Sequence, residues 1–181
     1  MFEPGARGLR VLFLGAPTVF ALLCPCDFGL PLNLEASFLP VGVATSMPIR
    51  ILIADDDSNI RLLLRRVVEA HPAWRVCGEA SNGVDAVEEA KRAEPDVAIL
   101  DLGMPLMNGM DAAREISKAH PQLPMLLLSV QEVSEPLVQA ALSAGFKGAI
   151  TKGSGREVVE GVEAVLRDQL FFQRSEGSSL P

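Results

Sequence analysis

The sequence is poor in the side chains that build disulfide frameworks and zinc sites. Its 181 residues include three cysteines and two histidines. Cys24 and Cys26 form a CxC pair and Cys77 lies far from both, a spacing that fits neither a disulfide framework nor a four-ligand zinc site. His71 and His120 each precede a proline where a helical pattern stops, so we expect them at helix ends. No His/Cys metal cluster is therefore expected.

The sequence also has no cluster of basic residues and no long apolar run. Its net charge of −7 argues against nucleic acid as a direct partner, because phosphate backbones bind basic surfaces. The apolar run Val11–Cys24 follows Arg7 and Arg10, as in a secretory signal, but Pro17 interrupts it. A membrane span needs ~20 apolar residues, so no stable span is predicted.

The composition changes near Met47, which divides the chain into an extension, a folded domain and a tail. Three interpretations are open for residues 1–46: a signal-like segment, a membrane-associating or disordered arm, and an upstream stretch added by a misassigned start codon. We favour the last, because Met47 stands just before the first strand pattern. The folded domain is predicted at residues 47–170 and a short tail at residues 171–181.

Strand-like apolar runs alternate with helical patterns from residue 49 onward. This alternation, with short connections, predicts a doubly wound five-stranded parallel sheet with five helices and the flavodoxin-like strand order 2-1-3-4-5. Ser58, Asn82 and Ser134 are predicted helix N-caps, and Gly145 a helix stop. The predicted strands are 49–54, 75–80, 96–100, 124–128 and 147–151, and the predicted helices are 58–70, 83–93, 108–119, 134–144 and 155–168.

Acidic residues follow the first and third predicted strands, which meet at the switch point of this strand order. Asp55, Asp56 and Asp57 follow the first strand, and Asp101 follows the third. Carboxylates gathered in one crevice repel each other unless a cation lies among them. A magnesium ion takes one or two carboxylates, which leaves another free to attack phosphorus. This reasoning alone does not choose the nucleophile.

The fourth and fifth predicted strands end in groups that suit phosphoryl transfer. Ser129 follows the fourth strand and Lys152 the fifth, so a hydroxyl and a cation are expected beside the acids. Either residue alone is weak evidence, because strand-terminal Ser and Lys are common. Together with the acids, in this order, they indicate phosphoryl transfer to a carboxylate.

Residues 49–168 resemble the CheY-like receiver domain of response regulators in bacterial two-component signalling. The stretches that carry the resemblance are Ile51–Asp56, Asp96–Gly109, Leu128–Ser129 and Thr151–Lys152. The stretch Gly78–Gly83 further resembles the subfamily that usually carries a LuxR-type helix-turn-helix. Residues 171–181 are too few for such an output domain, so the resemblance implies a receiver that stands alone.

The resemblance implies a role for each site residue. Asp101 would accept a phosphoryl group from a sensor histidine kinase or a phosphotransfer protein. Asp55 and Asp56, with Asp101 and the backbone carbonyl of Gly103, would hold Mg²⁺ or Mn²⁺. The chain would then switch the binding of an unknown downstream protein in the cytoplasm, as a monomer or a homodimer. No enzyme activity is implied beyond its own phosphorylation and slow dephosphorylation.

The resemblance also gives Ser129 a hydrogen bond to the phosphoryl group and Lys152 an ion pair with it. Three positions need separate interpretation. Asp57 is interpreted as a helix-start acid favoured by the helix dipole. Ala149 stands where family members carry an aromatic residue, so we expect the switch to use the loop and helix after Ser129 instead. Val130 replaces a smaller residue and is predicted either to narrow access to the site or to pack outward.

Two other functions are weighed against phosphoryl acceptance. One is a receiver-fold interaction module that works without phosphorylation. The other is a phosphohydrolase of the haloacid dehalogenase type, whose DxD motif resembles Asp55–Asp57 but continues with Thr or Val where this chain has Asn59. An ATPase is not expected, because no GxxxxGK[ST] loop precedes the third strand.

Overall fold

The computed structural model describes residues 47–153 and 155–173. The expectations for residues 1–46, including the signal-like run and the CxC pair, lie outside the described residues, as does the tail beyond residue 173. Within the described part of the chain, no helix is both long and apolar enough to cross a membrane.

The described residues alternate between strands and helices as the apolar pattern predicts. The strands are β1 Ile49–Ala54, β2 Trp74–Ala80, β3 Val97–Asp101, β4 Met125–Ser129, β5 Gly148–Thr151 and β6 Phe171–Phe172. The helices are α1 Ser58–Glu69, α2 Gly83–Ala93, α3 Gly109–Ala119, α4 Glu135–Ala144 and α5 Gly155–Leu166.

All the described strands form one parallel sheet in the order β2-β1-β3-β4-β5-β6. The predicted flavodoxin-like fold class and the order of the first five strands are confirmed. The predicted count of five strands is corrected by β6, which pairs with β5 and begins where the tail was predicted. Phe171 donates its N–H to the Lys147 carbonyl at 3.0 Å, and Gln173 donates to the Ala149 carbonyl at 3.1 Å.

The sheet separates two apolar cores, because alternate side chains of each strand point to opposite faces. Helices α1 and α5 cover one face, where the fully buried strand residues include Ile53, Ile99 and Leu128. Helices α2, α3 and α4 cover the other face, over Ala54, Leu100, Leu127 and Ala149. With both faces covered, the central strands read as continuous apolar runs, and their polar residues are confined to the strand ends.

The helix ends follow local hydrogen bonding. Asn82 caps α2 as predicted, with its side chain accepting the Asp85 N–H at 2.9 Å, and Gly145 ends α4 with a φ of 100°. Ser134 precedes α4 but makes no side-chain cap bond. The predicted cap of α1 is wrong by one residue: Asp57 is the N-cap and accepts the Asn59 N–H at 2.8 Å, whereas Ser58 already lies in the helix.

Candidate functional site

The carboxyl ends of four adjacent strands bring the predicted site residues together. β1 and β3 pair directly, with Ala54 opposite Leu100, so Asp55 and Asp101 leave the sheet side by side. Ser129 ends β4 opposite Thr151 of β5, which places Lys152 just beyond it. Asp55, Asp101 and Ser129 are all buried, which is unusual for such polar side chains and indicates a built site.

Three of the acids form a compact group that suits a hard cation. One carboxylate oxygen from each of Asp55, Asp56 and Asp101 lies within 4.8 Å of the others. Asp55 and Asp101 are buried, whereas Asp56 is exposed. The acidic cluster expected from the sequence is thus present, and its oxygen donors are those that Mg²⁺ prefers. Asp57, as the exposed cap of α1, is not part of this group.

Lys152 lies against the two buried acids. Its Nζ is 2.6 Å from Oδ2 of Asp55 and 2.8 Å from Oδ1 of Asp101. The contact with Asp55 is an ion pair, and within the described residues this buried Oδ2 has no partner besides Lys152. A carboxylate oxygen has two lone pairs, so an oxygen with this single partner can also bind a cation.

Burial and ion pairing oppose each other in this group. Burial raises the pKa of Asp55, although the contact with Lys152 and the Asp57 N–H act to lower it. Burial acts to lower the pKa of Lys152, but its contacts with Asp101 and Asp55 outweigh burial and raise that pKa. Lys152 therefore stays a cation beside the acids.

Backbone groups orient the two buried acids. Asp55 Oδ1 accepts the Asp57 N–H at 3.0 Å, and Asp101 Oδ2 accepts the Gly103 N–H at 2.8 Å. Gly103 thus lies at the site as predicted and contacts it through its N–H. The metal-binding role of its carbonyl stays a prediction.

An open cavity of ≈ 320 Å³ lies over the group, and the acids differ in whether they reach it. Asp56, Asp101, Ser129 and Lys152 all line this cavity, whereas Asp55 does not. The Ser129 Oγ accepts the Gln131 N–H at 2.9 Å, which leaves its own proton available to a ligand.

Val130 also lines this cavity, with 77% of its surface exposed. Its side chain therefore stands at the rim and does not pack into the core. The side chain of Val130 thus points outward, as one interpretation of the sequence expects, and it also borders the cavity over the acids.

Sequence reasoning missed Arg61, which contacts the backbone of the site. Its Nη1 donates to the carbonyl oxygens of Asp55 at 2.8 Å and Asp56 at 3.3 Å. One signal could have indicated it. A cation in the first turn of a helix is disfavoured by the dipole, so an arginine there calls for a specific partner.

The sequence pattern of one protein family, described as the response regulator receiver domain, matches residues 51–162. This chain belongs to that family. The resemblance expected from the sequence is confirmed, and with it the assignment to two-component signalling. The matched residues run from β1 into α5 and include every predicted site residue.

Solved receiver structures share this fold. A LuxR-family response regulator from Aurantimonas has a TM-score of 0.65 at 28% identity, over 68% of this chain and 89% of its own. The response regulator domain of Thermotoga maritima CheB has a TM-score of 0.59 at 30% identity, over 68% and 96%. A Borrelia burgdorferi chain in a CheX-CheY-BeF3-Mg complex has a TM-score of 0.63 at 26% identity, over 67% and 91%.

Curated relatives correct one expectation. The chain is 35% identical over 139 residues to a protein-glutamate methylesterase/protein-glutamine glutaminase of Pyrococcus abyssi, covering 76% of this chain and 37% of the relative. It is 39% identical over 110 residues to a protein of the same name in Myxococcus xanthus, covering 61% and 31%. The chain spans about a third of the length of these relatives.

The expectation that no enzyme activity is involved is therefore wrong for the proteins that this chain matches, since both relatives bear the names of enzymes. That expectation follows from the receiver motifs alone. Those motifs carry no information about the part of the relatives that lies outside the match.

Proposed function

We propose that Asp101 accepts a phosphoryl group from a sensor histidine kinase or a phosphotransfer protein, and that this reaction changes the binding of a partner protein. The observation that carries the proposal is that Asp101 is both open to a phosphodonor and next to a cation. It lines the open cavity, belongs to the acid group and contacts Lys152. Asp55 has no such access, and Asp56 is not in contact with Lys152.

In the proposed step, a carboxylate oxygen of Asp101 attacks the phosphorus of a phosphohistidine. The new P–O bond forms an acyl phosphate while the P–N bond breaks, and the histidine leaves with the electron pair and takes up a proton. Lys152 would pair with a phosphoryl oxygen, and the Ser129 hydroxyl would donate a hydrogen bond to another. The Borrelia burgdorferi complex contains CheX, CheY and BeF3 together, which supports a protein partner for a chain of this fold.

Asp55, Asp56 and Asp101 would hold a divalent ion, for which Mg²⁺ or Mn²⁺ suits the all-oxygen donors. When bound, the ion would offset the negative charge that gathers on the transferring phosphoryl oxygens. The buried Oδ2 of Asp55, whose one partner among the described residues is Lys152, supports this assignment from the structure. The magnesium named in the Borrelia complex supports it from a relative of the same family.

The test is phosphorylation of the purified protein by acetyl phosphate with Mg²⁺, followed by intact-mass measurement. We expect one added phosphoryl group. It should not form when EDTA removes the Mg²⁺ before the reaction, nor in the Asp101→Asn variant. Asp57→Asn is the matched control, because it removes an exposed neighbouring acid while Asn still caps the helix. It should be phosphorylated like the wild type.

Failure of the wild type to gain mass would favour the interaction module that works without phosphate. A dehalogenase-type phosphohydrolase would instead need Asp55 as nucleophile. The exclusion of Asp55 from the cavity argues against that alternative.

The relatives favour a second candidate, in which this receiver regulates a protein-glutamate methylesterase. The reaction would be hydrolysis of a glutamyl methyl ester, catalysed outside the matched region. The test is release of methanol by the catalytic part of a relative, with phosphorylated protein and with Asp101→Asn added in parallel. A rate that is identical in the two arms would exclude this candidate and leave phosphoryl acceptance untouched.

A further inference from the structure

Arg61 reaches from the first turn of α1 back to the turn that carries two of the acids. Its Nη1 donates to the carbonyl oxygen of Asp55 at 2.8 Å and to that of Asp56 at 3.3 Å. These carbonyls belong to the two peptide groups that flank Asp56. Holding both peptide groups restricts the backbone of Asp56 and therefore the direction of its Cα–Cβ bond.

A carboxylate contacts the other side of the Arg61 guanidinium. Arg61 Nε lies 3.7 Å from Oε2 of Glu79, which is near the end of β2. Arg65 binds the other oxygen of Glu79, with Nη2 at 2.6 Å. The side chain of Arg61 is only 19% exposed, so these contacts are partly shielded from water. A planar guanidinium can serve carbonyls and a carboxylate at once, which an ammonium group does less well.

The three acids differ in what holds their side chains. Asp55 accepts the Asp57 N–H and contacts Lys152, and Asp101 accepts the Gly103 N–H and contacts the same lysine. Within the described part of the chain, no residue forms a hydrogen bond or an ion pair with the carboxylate of Asp56. Asp56 is therefore positioned through its backbone, which sets the direction of its Cα–Cβ bond.

We propose that Arg61 is a positioning residue for the metal site, because it fixes the backbone that aims the unsupported carboxylate of Asp56. The proposal rests on the proposed function, since it requires that the acids bind Mg²⁺. Arg61 touches neither the ion nor the phosphoryl group. It acts through Asp56.

The test compares Arg61→Gln with Arg65→Gln in Mg²⁺ titrations by calorimetry. The two variants lose the same charge from the same helix and each breaks a contact with Glu79, but only Arg61 contacts the acid-bearing turn. Loss of partners that orient metal ligands typically weakens affinity by 10–100-fold, so we expect about tenfold weaker Mg²⁺ binding in Arg61→Gln. Arg65→Gln should bind like the wild type.

Phosphorylation kinetics give a second readout. The Mg²⁺ concentration for half-maximal rate should rise in Arg61→Gln, while the rate at saturating Mg²⁺ stays near that of the wild type. Arg61→Lys should recover part of the affinity, because an ammonium group can still donate to the carbonyls. Fluorescence of Trp74, the one tryptophan of the chain and a buried side chain, checks that each variant is folded.

Unchanged Mg²⁺ affinity in Arg61→Gln would overturn the positioning role and leave the proposed function intact. An equal loss in both variants would also overturn it, because the effect would then follow from charge or stability. Absence of Mg²⁺ binding by the wild type would overturn the proposed function together with this role.

Discussion

The ammonium nitrogen of Lys152 lies 2.8 Å from Oδ1 of Asp101, the carboxylate proposed to accept the phosphoryl group. The same nitrogen lies 2.6 Å from Asp55. Lys152 is therefore a counter-ion to both buried acids. This relationship links the stability of the fold to the chemistry of the site.

Removing the Lys152 cation should destabilise the fold and raise the affinity of the acids for Mg²⁺. We expect Lys152→Met to lower the free energy of unfolding without metal by about 3 kcal/mol, because two buried acids lose their cation. Mg²⁺ should bind more tightly, since no cation competes for the acids. Urea unfolding followed by Trp74 fluorescence, with and without Mg²⁺, measures both effects.

Lys147→Met is the matched control for that variant, because its partner Asp168 is largely exposed. Such surface pairs contribute about 0–1 kcal/mol. Equal destabilisation by the two variants would contradict the counter-ion role of Lys152.

The buried charge of Asp55 should oppose folding when no metal is bound. Burial raises its pKa, so its contribution to stability is present at low pH and is lost as the pH rises through the folded-state value. We expect Asp55→Asn to raise the Tm of the metal-free protein at neutral pH, with a smaller gain in acid. Lys152 keeps Asp101 as partner in this variant.

Mg²⁺ supplies the complementary measurement on Asp55. Added Mg²⁺ should raise the Tm of the wild type and have little effect on Asp55→Asn, because ligands stabilise only the state that binds them. A lower Tm for metal-free Asp55→Asn at neutral pH would argue against this account of its burial.

The start of α3 depends on a glycine that touches the site. A Cβ on Gly109 would lie 2.1 Å from the carbonyl oxygen of Asp101, a clash with backbone that cannot move aside freely. We expect Gly109→Ala to cost about 3 kcal/mol of unfolding free energy and to reduce phosphorylation. A Cβ on Gly153 meets nothing within 4 Å, so Gly153→Ala should leave both quantities unchanged.

Val130 should restrict access to the cavity that it lines. We expect Val130→Ala to shorten the lifetime of the phosphorylated form, because water would reach the acyl phosphate more easily. Leu106→Ala is the control, since Leu106 is 87% exposed and is not among the residues that line the cavity. A lifetime that stays constant in Val130→Ala would show that the side chain does not limit access.

The sequence predicted the acid group because strand patterning is a strong signal. Buried parallel strands read as apolar runs, so the polar residues that end them, such as Asp55, Asp101 and Lys152, stand out. Their convergence follows from the parallel arrangement and needs no side-chain detail. The fold class and the place of the site were therefore accessible from residues alone.

The sixth strand was not predictable in this way. Phe171 and Phe172 pair with β5 over two residues, which is too short for any periodic signal. The pairing depends on two glycines, Gly148 and Gly161, that leave space for Phe171. A Cβ on Gly148 would lie 2.6 Å from the Phe171 carbonyl oxygen, and one on Gly161 would lie 3.3 Å from the Phe171 ring.

The contact of Arg61 with the site was not predicted, for a different reason. It lies within the apolar helical pattern of α1, and the backbone carbonyls that it contacts leave no trace in the sequence. Its place in the first helical turn was the one available signal. The cap at Asp57 was missed because Asp and Ser are both good caps and stand side by side at residues 57 and 58.

The most direct test of the account is to identify the residue that carries the phosphoryl group. Borohydride reduces an acyl phosphate to an alcohol and so converts a phosphorylated aspartate to homoserine, which peptide mass spectrometry locates. We expect homoserine at position 101 alone after treatment with acetyl phosphate and Mg²⁺, and none without the phosphodonor. Homoserine at position 55 or 56, or a phosphoryl group that resists reduction, would contradict the assignment of Asp101 as the phosphoryl acceptor.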